Sequence, residues 1–282
     1  MKVFYNIYTL TPVKKANRLS NLEVKKGVYL RAELNNKVYF SDYFPHESLG
    51  DRNIEVFLEE FKFQVHEYDK KVFHHLLKDN SYQKITPKLF YNHKLWSKNE
   101  PLDAPVIKYK LNSPDDYGFV EALRGGIYVR LDANGLFTKR SFDEFLKGIP
   151  EEKMNLIHYM EDPLRDTDWK DLKLHSARDF IKGNPYQYEI YKPNRSFLPE
   201  TQHKIIFSSY LGSELGQWQC YSELLESGDL KAIHGIVTQG FYEDQMELFT
   251  GNYKEGFIGN SLVVQKLYKK MDDLPWKNLC SM

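Results

Sequence analysis

The chain has 282 residues, and its 39 basic and 39 acidic side chains give a formal net charge of zero. This length allows one large α/β domain or a barrel with a smaller companion, and we expect two domains that share one site. Neither charge sign forms a long block, so we expect no nucleic acid and no anionic membrane as partner. A small molecule is the expected ligand.

Cysteine usage and the amino terminus indicate the compartment. Cys220 and Cys280 are the only cysteines, too few for a disulfide framework or a cysteine-rich metal site, which fits a reducing cytoplasm. The segment MKVFYNIYTLTPVKK turns polar too soon for a signal peptide, and no apolar stretch reaches the roughly 20 residues of a membrane-spanning helix. We therefore expect a cytoplasmic protein. The sequence does not specify an oligomeric state.

Residues 1–86 are predicted to form an α+β domain. Three runs alternate like antiparallel strands, VFYNIYTL, GVYLRAEL and KVYFSDYF, with a turn at Asn35-Asn36 between the last two. Asn53 is placed to cap a helix, and residues 72–78, VFHHLLK, are predicted to form a second one. The inner face of the first helix is predicted to carry Ile54, Phe57, Leu58 and Phe61.

Residues 87–240 change to a rhythm that predicts a (β/α) barrel. Eight candidate strands occur, LFYNHKL, VIKYKL, IYVRLDAN, NLIHYMED, LKLHSARDF, YEIYKPN, HKIIFSSYL and KAIHGIVT, and eight strands in one direction close a barrel. Ser141 with Glu144 predicts a capping box before FDEFL, and Ser213 precedes a helix over ELGQWQCYSELL. The links on both sides of Lys192 are too short for full crossover helices, so some barrel helices are expected to be short or missing.

The remaining segment, residues 241–282, contains one predicted helix around SLVVQKLYKK and an apolar ending with Trp276. We expect this segment to pack back on the first domain.

Five apolar runs of the barrel region each end at a charged residue. Their ends, in chain order, are Lys110, Asp132, Glu161, Asp179 and Lys192. The carboxyl ends of successive parallel strands meet at one mouth, where such folds place their chemistry. Three carboxylates there predict a site for Mg²⁺, which prefers hard oxygen ligands. Asp162 competes for the third position, because Asp179 follows Arg178 and has the alternative of an exposed ion pair.

Lys108 and Lys110 alternate within one strand and therefore project to the same face. Two neighbouring ammonium groups disfavour each other's charge, which lowers the pKa of one of them toward the range of a base at neutral pH. A solvated Lys-x-Lys face is the alternative. The apolar character of IKYKL favours the inward orientation.

The joint pattern resembles the enolase superfamily and, within it, the o-succinylbenzoate synthases of menaquinone biosynthesis. The motifs that carry the resemblance, in family order, are the Lys-x-Lys of IKYKL, RLDAN at 130–134, MEDP at 160–163, YKPN at 191–194, SSYLGSELG at 208–216 and HGIVT at 234–238. SDYFPHESLGD at 41–51 is similar to the mobile capping-domain loop of the family. The match covers most of the chain.

This resemblance implies a capping domain built from both chain ends on a modified (β/α)₇β barrel. It implies that Asp132, Glu161 and Asp179 hold Mg²⁺, with Mn²⁺ as an alternative ion. It further implies that Lys110 is the acid/base, that Lys192 is its partner across the substrate, and that Lys108 tunes Lys110.

The implied activity is that of a carbon–oxygen lyase. Its reaction is the Mg²⁺-dependent syn dehydration of 2-succinyl-6-hydroxy-2,4-cyclohexadiene-1-carboxylate to o-succinylbenzoate. Racemisation of N-acylamino acids or epimerisation of dipeptides uses the same opposed lysines and is the first alternative. A noncatalytic binding protein on the same fold is the second.

A succinyl carboxylate needs hydrogen-bond donors. The amides from Ser213 to Gly216, at a predicted helix amino terminus, form a candidate anion site, with a plain capped helix as the alternative. Arg130 and Asn134, which flank Asp132, are two further substrate-binding candidates, and each is expected to be a supporting or structural residue rather than a direct catalyst. The resemblance adds four substrate-binding candidates from the capping loop and the serine-rich strand, namely Phe44, His46, Ser208 and Ser209.

Overall fold

The computed structural model of the chain describes residues 1–13, 23–47, 50–66, 85–165, 169, 172–179, 187–193, 198, 201–227, 229–238 and 240–281. Within these ranges, the two ends of the chain share one antiparallel sheet and the middle forms a parallel barrel. The predicted second helix, VFHHLLK at 72–78, lies outside the described residues.

The antiparallel sheet contains the predicted three-strand meander and one strand from the carboxyl terminus. Its strands are β1 (Lys2–Leu10), β2 (Lys25–Leu34), β3 (Lys37–Tyr43) and β15 (Lys277–Ser281), in the spatial order β15-β1-β2-β3. Asn35 and Asn36 have φ angles of 51° and 60°, the left-handed conformation that a two-residue hairpin turn requires. The terminal strand pairs antiparallel with β1, so the two ends of the chain are physically joined.

Helix α1 (Ile54–His66) is present where a helix was predicted, and it packs against this sheet. The Asn53 side chain accepts a hydrogen bond from the Val56 backbone N–H at 2.9 Å, which caps the first turn. Phe61 and Val65 are buried against Val3 of β1 and Cys280 of β15, in a small core of their own. Burial of this apolar stripe is what holds the helix on the sheet.

The parallel strands close into a ring of eight positions. The first is β4 (Tyr91–Asn92) with β5 (Lys94–Leu95), one strand interrupted at His93. The others are β6 (Val106–Lys110), β7 (Tyr128–Asp132), β8 (Ile157–Glu161), β9 (Ser176–Arg178), β10 (Tyr188–Tyr191), β11 (Lys204–Phe207) and β12 (Ile233–His234). Strands β5 to β11 pair in chain order, β12 pairs with β4, and Ser208 after β11 bridges in parallel to Gly235 after β12. The prediction of a modified barrel beside an α+β capping domain is confirmed.

The described helices of the barrel are uneven, whereas the short links on both sides of Lys192 lie largely outside the described residues. Helix α2 (Lys139–Lys147) follows β7, and α3 (Glu214–Ser227) follows β11, whereas the link from β6 to β7 contains only a 3₁₀ helix (Gly118–Ala122). A second 3₁₀ helix (Glu151–Leu156) leads into β8. On α3 the predicted face is present, with Leu215, Trp218 and Leu224 fully buried and Leu225 partly buried.

The predicted capping box of α2 is wrong by one turn. Thr138, not Ser141, is the N-cap: its hydroxyl accepts from the Ser141 backbone N–H at 3.2 Å, and the Ser141 hydroxyl accepts from the Thr138 backbone N–H at 3.0 Å. Thr138 has an extended backbone, φ −88° and ψ 165°, so the helix begins at residue 139. Ser141 therefore occupies the third helical position, and Glu144 lies beyond the first turn.

The carboxyl-terminal segment adds a hairpin, a helix and the edge strand of the capping sheet. The hairpin is β13 (Phe249–Asn252) with β14 (Gly256–Gly259), followed by α4 (Ser261–Asp272), where the helix around SLVVQKLYKK was predicted. The Trp276 ring stacks on Phe40 with centroids 5.8 Å apart. The domain boundaries after residues 86 and 240 remain a prediction. In the portion of the chain that is described, no helix is long and apolar enough to cross a membrane.

Candidate active site

A cavity of about 400 Å³ opens at the carboxyl ends of the barrel strands. Ten of the fourteen predicted site residues line it, namely Lys108, Lys110, Asp132, Asn134, Glu161, Asp179, Lys192, Ser208, Ser209 and His46. His46 comes from the capping side and the others from the barrel, so the cavity lies where the two parts of the molecule meet. Its volume suits a small organic substrate.

Strand register brings the charged residues to one level. Lys110 of β6 is paired with Asp132 of β7, and Asp132 is paired with Glu161 of β8. Asp179 and Lys192 are the first residues after β9 and β10. In a parallel sheet, ends that are in register project their side chains into the same space, and the alternation of side chains predicted this face from the sequence.

Lys110 and Lys192 stand on opposite sides of the barrel mouth. Between β6 and β10 lie three strands in one direction, β7 to β9. In the other direction there are also three strand positions, β11, β12 and the interrupted strand β4/β5. A substrate between them therefore meets one ammonium on each face.

Two groups of ion pairs fill the site. The Lys108 Nζ lies 2.8 Å from both carboxylate oxygens of Glu161 and 3.0 Å from Asp132 Oδ2. The Lys110 Nζ is 3.3 Å from the same Asp132 oxygen. On the other side of the mouth, the Lys192 Nζ is hydrogen-bonded to Asp179. All of these side chains are largely withdrawn from solvent, so screening of the pairs by water and salt is weak.

The pKa values of the two neighbouring lysines of β6 are shifted in opposite directions. Burial lowers the pKa of Lys110, and the positive charge of Lys108 lowers it further, while Asp132 opposes the shift. Although burial alone would also lower the pKa of Lys108, the carboxylates of Asp132 and Glu161 hold it well above its usual range. Lys108 is therefore the fixed cation, and Lys110 is the lysine that loses a proton more readily.

The pKa values of the three carboxyl groups are also shifted in different directions. Burial raises the pKa of Glu161 to about 7, and the charges of Asp132 and Asp179 add to the rise, while Lys108 opposes it. Burial also disfavours the charged form of Asp132, but Lys108 and Lys110 hold its pKa below the usual range. Burial also disfavours the charged form of Asp179, but Lys192 and Lys108 together hold its pKa below the usual range. Three carboxyl groups that feel one another's charge in one cavity are a donor set that suits a hard divalent cation.

The carboxylates are not arranged as a preformed metal site. Across the described ranges, no three His, Cys, Asp or Glu side chains are grouped closely enough to hold a metal ion. Lys108 stands between Asp132 and Glu161, and Lys192 holds Asp179. A bound cation would take over the carboxylate oxygens that these two ammonium groups contact.

Asp162, the competing third ligand, has a different task. It has a φ of +45°, is 1% exposed and does not line the cavity. Its Oδ1 accepts a hydrogen bond from the Asp179 backbone N–H at 3.0 Å. Asp162 therefore fixes the strand exit that carries Asp179. The position of these two side chains favours Asp179 as the ligand, which remains a prediction.

The capping loop is fastened to the barrel at Tyr210. His46 Nε2 donates to the Tyr210 carbonyl oxygen at 2.7 Å, and the Tyr210 hydroxyl donates to the carboxylate of Asp51. The Tyr210 ring also lies 5.4 Å from the Lys192 Nζ, within the range of a cation–π contact. The loop thus contacts the same residue that supports one of the two opposed lysines.

Two predicted substrate contacts prove to be core residues. Phe44 is 1% exposed and packs against Tyr242 of the carboxyl-terminal segment with ring centroids 6.1 Å apart, so it is a packing residue of the capping loop and does not line the cavity. Arg130 is fully buried below the cavity and donates to two histidines, His93 and His158. Asn134 does line the cavity, where its amide donates to Asp132 Oδ1 at 2.6 Å.

The predicted anion site at the start of α3 is filled by the protein itself. Asp42 of β3 reaches this helix terminus, and its Oδ2 accepts from the Ser213 hydroxyl at 2.9 Å. Its Oδ1 accepts from the Tyr8 hydroxyl at 2.6 Å. Ser213 and Gly216 are buried there and do not line the cavity, so the structure does not bring them together with the other predicted site residues, and their contact with substrate stays a prediction. A carboxylate from the capping sheet satisfies the helix terminus.

Asp42 makes stability depend on pH in a defined direction. Burial raises its pKa to about 6 from a usual 3.8, despite hydrogen bonds from Tyr8 and Ser213 that oppose the shift. The folded state thus keeps a proton that the unfolded chain releases, and this stabilising contribution is lost as pH rises from about 4 to 6. We expect the unfolding free energy of the wild type minus that of Asp42→Asn to fall by about 2 kcal/mol between pH 4 and 7. Urea unfolding of both proteins across this range measures it, and a constant difference would contradict the assignment.

Several cavity residues were not singled out from the sequence. His93 lies inside the candidate strand LFYNHKL, where alternation could have marked it as inward-facing. Thr238 ends the last candidate strand in the same way. Asn252, Tyr253 and Phe257 reach the cavity from the hairpin β13–β14, which no periodicity in the sequence indicated.

Comparison with known proteins agrees with the resemblance seen in the motifs. No protein-family model matches the chain. An o-succinylbenzoate synthase of Bdellovibrio bacteriovorus is 25% identical over 190 residues, which are 58% of this chain and 56% of that protein. The chain therefore matches little more than half the length of this curated relative.

Solved structures extend the likeness of the fold to nearly the whole chain. The o-succinylbenzoate synthase from Thermosynechococcus elongatus BP-1, complexed with Mg in the active site, has a TM-score of 0.60 at 14% identity and covers 96% of this chain and 100% of its own. An enolase family member from Agrobacterium tumefaciens with homology to dipeptide epimerases, with bound sodium and L-Ala-L-Glu, has a TM-score of 0.64 at 14% identity. It covers 93% of this chain and 99% of its own. The predicted resemblance to the enolase superfamily and its o-succinylbenzoate synthases is confirmed.

Proposed function

We propose that the chain is an enzyme that dehydrates 2-succinyl-6-hydroxy-2,4-cyclohexadiene-1-carboxylate to o-succinylbenzoate. The observation that carries this proposal is the pair of opposed lysines, Lys110 and Lys192, across a cavity that also holds three carboxylates. The sequence similarity to an o-succinylbenzoate synthase supports the same reaction.

Lys110 has the properties of the acid/base. Its lowered pKa increases the fraction that is neutral and able to accept a proton. In the reaction, the amine takes the ring proton beside the substrate carboxylate, the carbon–oxygen bond to the leaving hydroxyl breaks, and Lys110 returns the proton to that hydroxyl, which leaves as water. The loss of water leaves an aromatic ring in the product. A single base can serve both steps because a syn elimination takes place on one face of the ring.

Lys192 acts on the other face as a cation. Its ammonium group stabilises negative charge that develops on the substrate during proton removal. Lys108 remains charged between Asp132 and Glu161 and keeps the proton affinity of Lys110 low.

Asp132, Glu161 and Asp179 would hold the metal ion. When bound there, Mg²⁺ would supply Lewis-acid stabilisation of charge on the substrate carboxylate. The fit rests on the chemistry of the donor set, since all three side chains offer anionic oxygens to one cavity.

Racemisation of N-acylamino acids is the second candidate, because two opposed lysines can exchange a proton across a stereocentre. Epimerisation of dipeptides is less well supported. Among the described cavity residues, the only acidic side chains are Asp132, Glu161 and Asp179, and each is already paired with a lysine. A free ammonium group of a dipeptide would therefore find no carboxylate of its own, whereas an acyl group would not need one.

The test compares both reactions on the wild-type protein with Mg²⁺. We expect ultraviolet absorbance of aromatic o-succinylbenzoate to appear from the hydroxycyclohexadiene precursor. Deuterium exchange from solvent into N-acylamino acids is measured in parallel. Efficient exchange without aromatisation would select the racemase, and inactivity in both assays would favour a noncatalytic binding protein.

A further inference from the structure

His93 lies in the cavity wall, between the two halves of the interrupted first barrel strand, and has no role in the proton transfers described above. The edge of its ring lies against Gly235, after β12. A Cβ atom on Gly235 would come within 2.6 Å of His93 Cε1 and 2.9 Å of Nε2, closer than packing allows. Because Gly235 has no side chain, the imidazole edge can occupy this space.

Arg130 determines which nitrogen of His93 carries the proton. Nη1 of Arg130 lies 2.9 Å from Nδ1 of His93, and a guanidinium group can only donate, so Nδ1 must accept. Burial, together with the charges of Arg130 and Lys108, holds the pKa of His93 well below its usual range. The ring is therefore neutral, and its one N–H is at Nε2.

Two other histidines on the described barrel strands show a similar arrangement, but with the donor in use. His158 Nδ1 accepts from Arg130 Nε at 3.2 Å, and its Nε2 is 2.9 Å from the Tyr188 hydroxyl. His234 Nδ1 accepts from the Phe207 backbone N–H, and its Nε2 donates to the Asp229 carbonyl at 2.9 Å. For His93, by contrast, the described structure contains no partner of Nε2, and this residue lines the cavity.

One hydroxyl group lies near this donor. The Ser208 Oγ would lie 3.1 Å from the same Cβ position on Gly235, so it flanks the imidazole edge. The Ser208 hydroxyl itself donates to the carbonyl oxygens of Ser209 and Gly235, each at 3.3 Å. The Nε2–H of His93 is therefore an uncharged donor on this side of the cavity for a ligand that carries oxygen acceptors.

We propose that His93 is a substrate-binding residue whose Nε2–H donates to an oxygen of the substrate's succinyl group, and that Arg130 is its positioning residue. The identity of the succinyl group rests on the proposed function. The donor itself follows from the contacts of Arg130 and Gly235.

The test uses His93→Asn with Mg²⁺ present and two probes, o-succinylbenzoate and benzoate, which differ in the succinyl group. The asparagine side chain can still accept from Arg130 but is too short to place a donor where Nε2 stood. We expect o-succinylbenzoate to bind about 10- to 100-fold more weakly, the effect of one lost hydrogen bond to a charged or strongly polar group, while benzoate affinity stays unchanged. Isothermal titration calorimetry measures both.

His158→Asn is the matched control, because it alters the other histidine that accepts from Arg130 and lies outside the cavity wall. Both probes should bind this variant as they bind the wild type. Unchanged o-succinylbenzoate affinity in His93→Asn, or equal losses in the two variants, would overturn the inference. Aromatisation by the wild type is measured separately. An inactive wild type whose succinyl binding still depends on His93 would refute the proposed function alone, and an active one without that dependence would refute the inference alone.

Discussion

Replacement of Lys110 by alanine is expected to lower kcat for formation of o-succinylbenzoate by about 10⁴-fold, the upper range for loss of a general acid–base group. The loss should be this large because Lys110 both takes the ring proton and returns one to the leaving hydroxyl. Lys110→Arg should lose as much activity, although it keeps the positive charge beside Asp132, because a guanidinium group stays protonated. The initial rate of aromatisation measures both variants.

Two further variants make the Lys110 result specific. Lys192→Ala should lower kcat by about 10²- to 10³-fold through lost charge stabilisation, while proton abstraction continues. Lys204→Ala, at the amino end of β11 and exposed, should leave the rate unchanged. If Lys110→Arg kept substantial dehydration activity with an intact fold by circular dichroism, the assignment of Lys110 as the base would be wrong.

Removal of divalent metal by a chelator should abolish aromatisation, and added Mg²⁺ or Mn²⁺ should restore it. The physical reason is that Asp132, Glu161 and Asp179 repel one another, and a cation relieves this repulsion. Without the cation, Lys108 and Lys192 remain bound to the carboxylates. Asp179→Ala should weaken Mg²⁺ binding by more than about 100-fold, the upper effect of residues that only support a ligand. Titration calorimetry with Mg²⁺ gives the affinity.

Asp162→Ala is the matched comparison for the third ligand, because Asp162 holds the Asp179 backbone but does not line the cavity. Its effect on Mg²⁺ affinity should stay within about 10- to 100-fold, as for other positioning groups. Normal affinity in Asp179→Ala together with severe loss in Asp162→Ala would show that the two roles are reversed.

The linear pattern of the sequence was sufficient to predict the level at which Lys110, Asp132 and Glu161 meet. Each ends an apolar run, and parallel strands of similar length bring such ends into register. The same logic placed Asp179 and Lys192 at the mouth. It did not predict that Lys108 would hold Asp132 and Glu161 together, because pairing across three strands depends on how far each side chain extends.

The anion bound at the amino terminus of α3, at Ser213, could not be predicted from the local sequence. The sequence predicted a capped helix with free amides, and the helix is present, but its anion comes from Asp42, 171 residues earlier in the chain. Phe44 and Arg130 were similarly assigned to the substrate and are buried in packing. Contacts between residues so far apart follow from how the capping sheet sits on the barrel, which no local pattern encodes.

The sequence by itself determined the strands, their charged ends and the hairpin turn at Asn35-Asn36, because backbone sterics and side-chain alternation act over a few residues. Only the tertiary structure decided which charges are neutralised and which donors remain for a ligand. His93 carries its proton on the cavity side because Arg130, on another strand, occupies its other nitrogen. Proton positions and pKa values depend on burial and on distances between chain segments, and these exist only in the folded molecule.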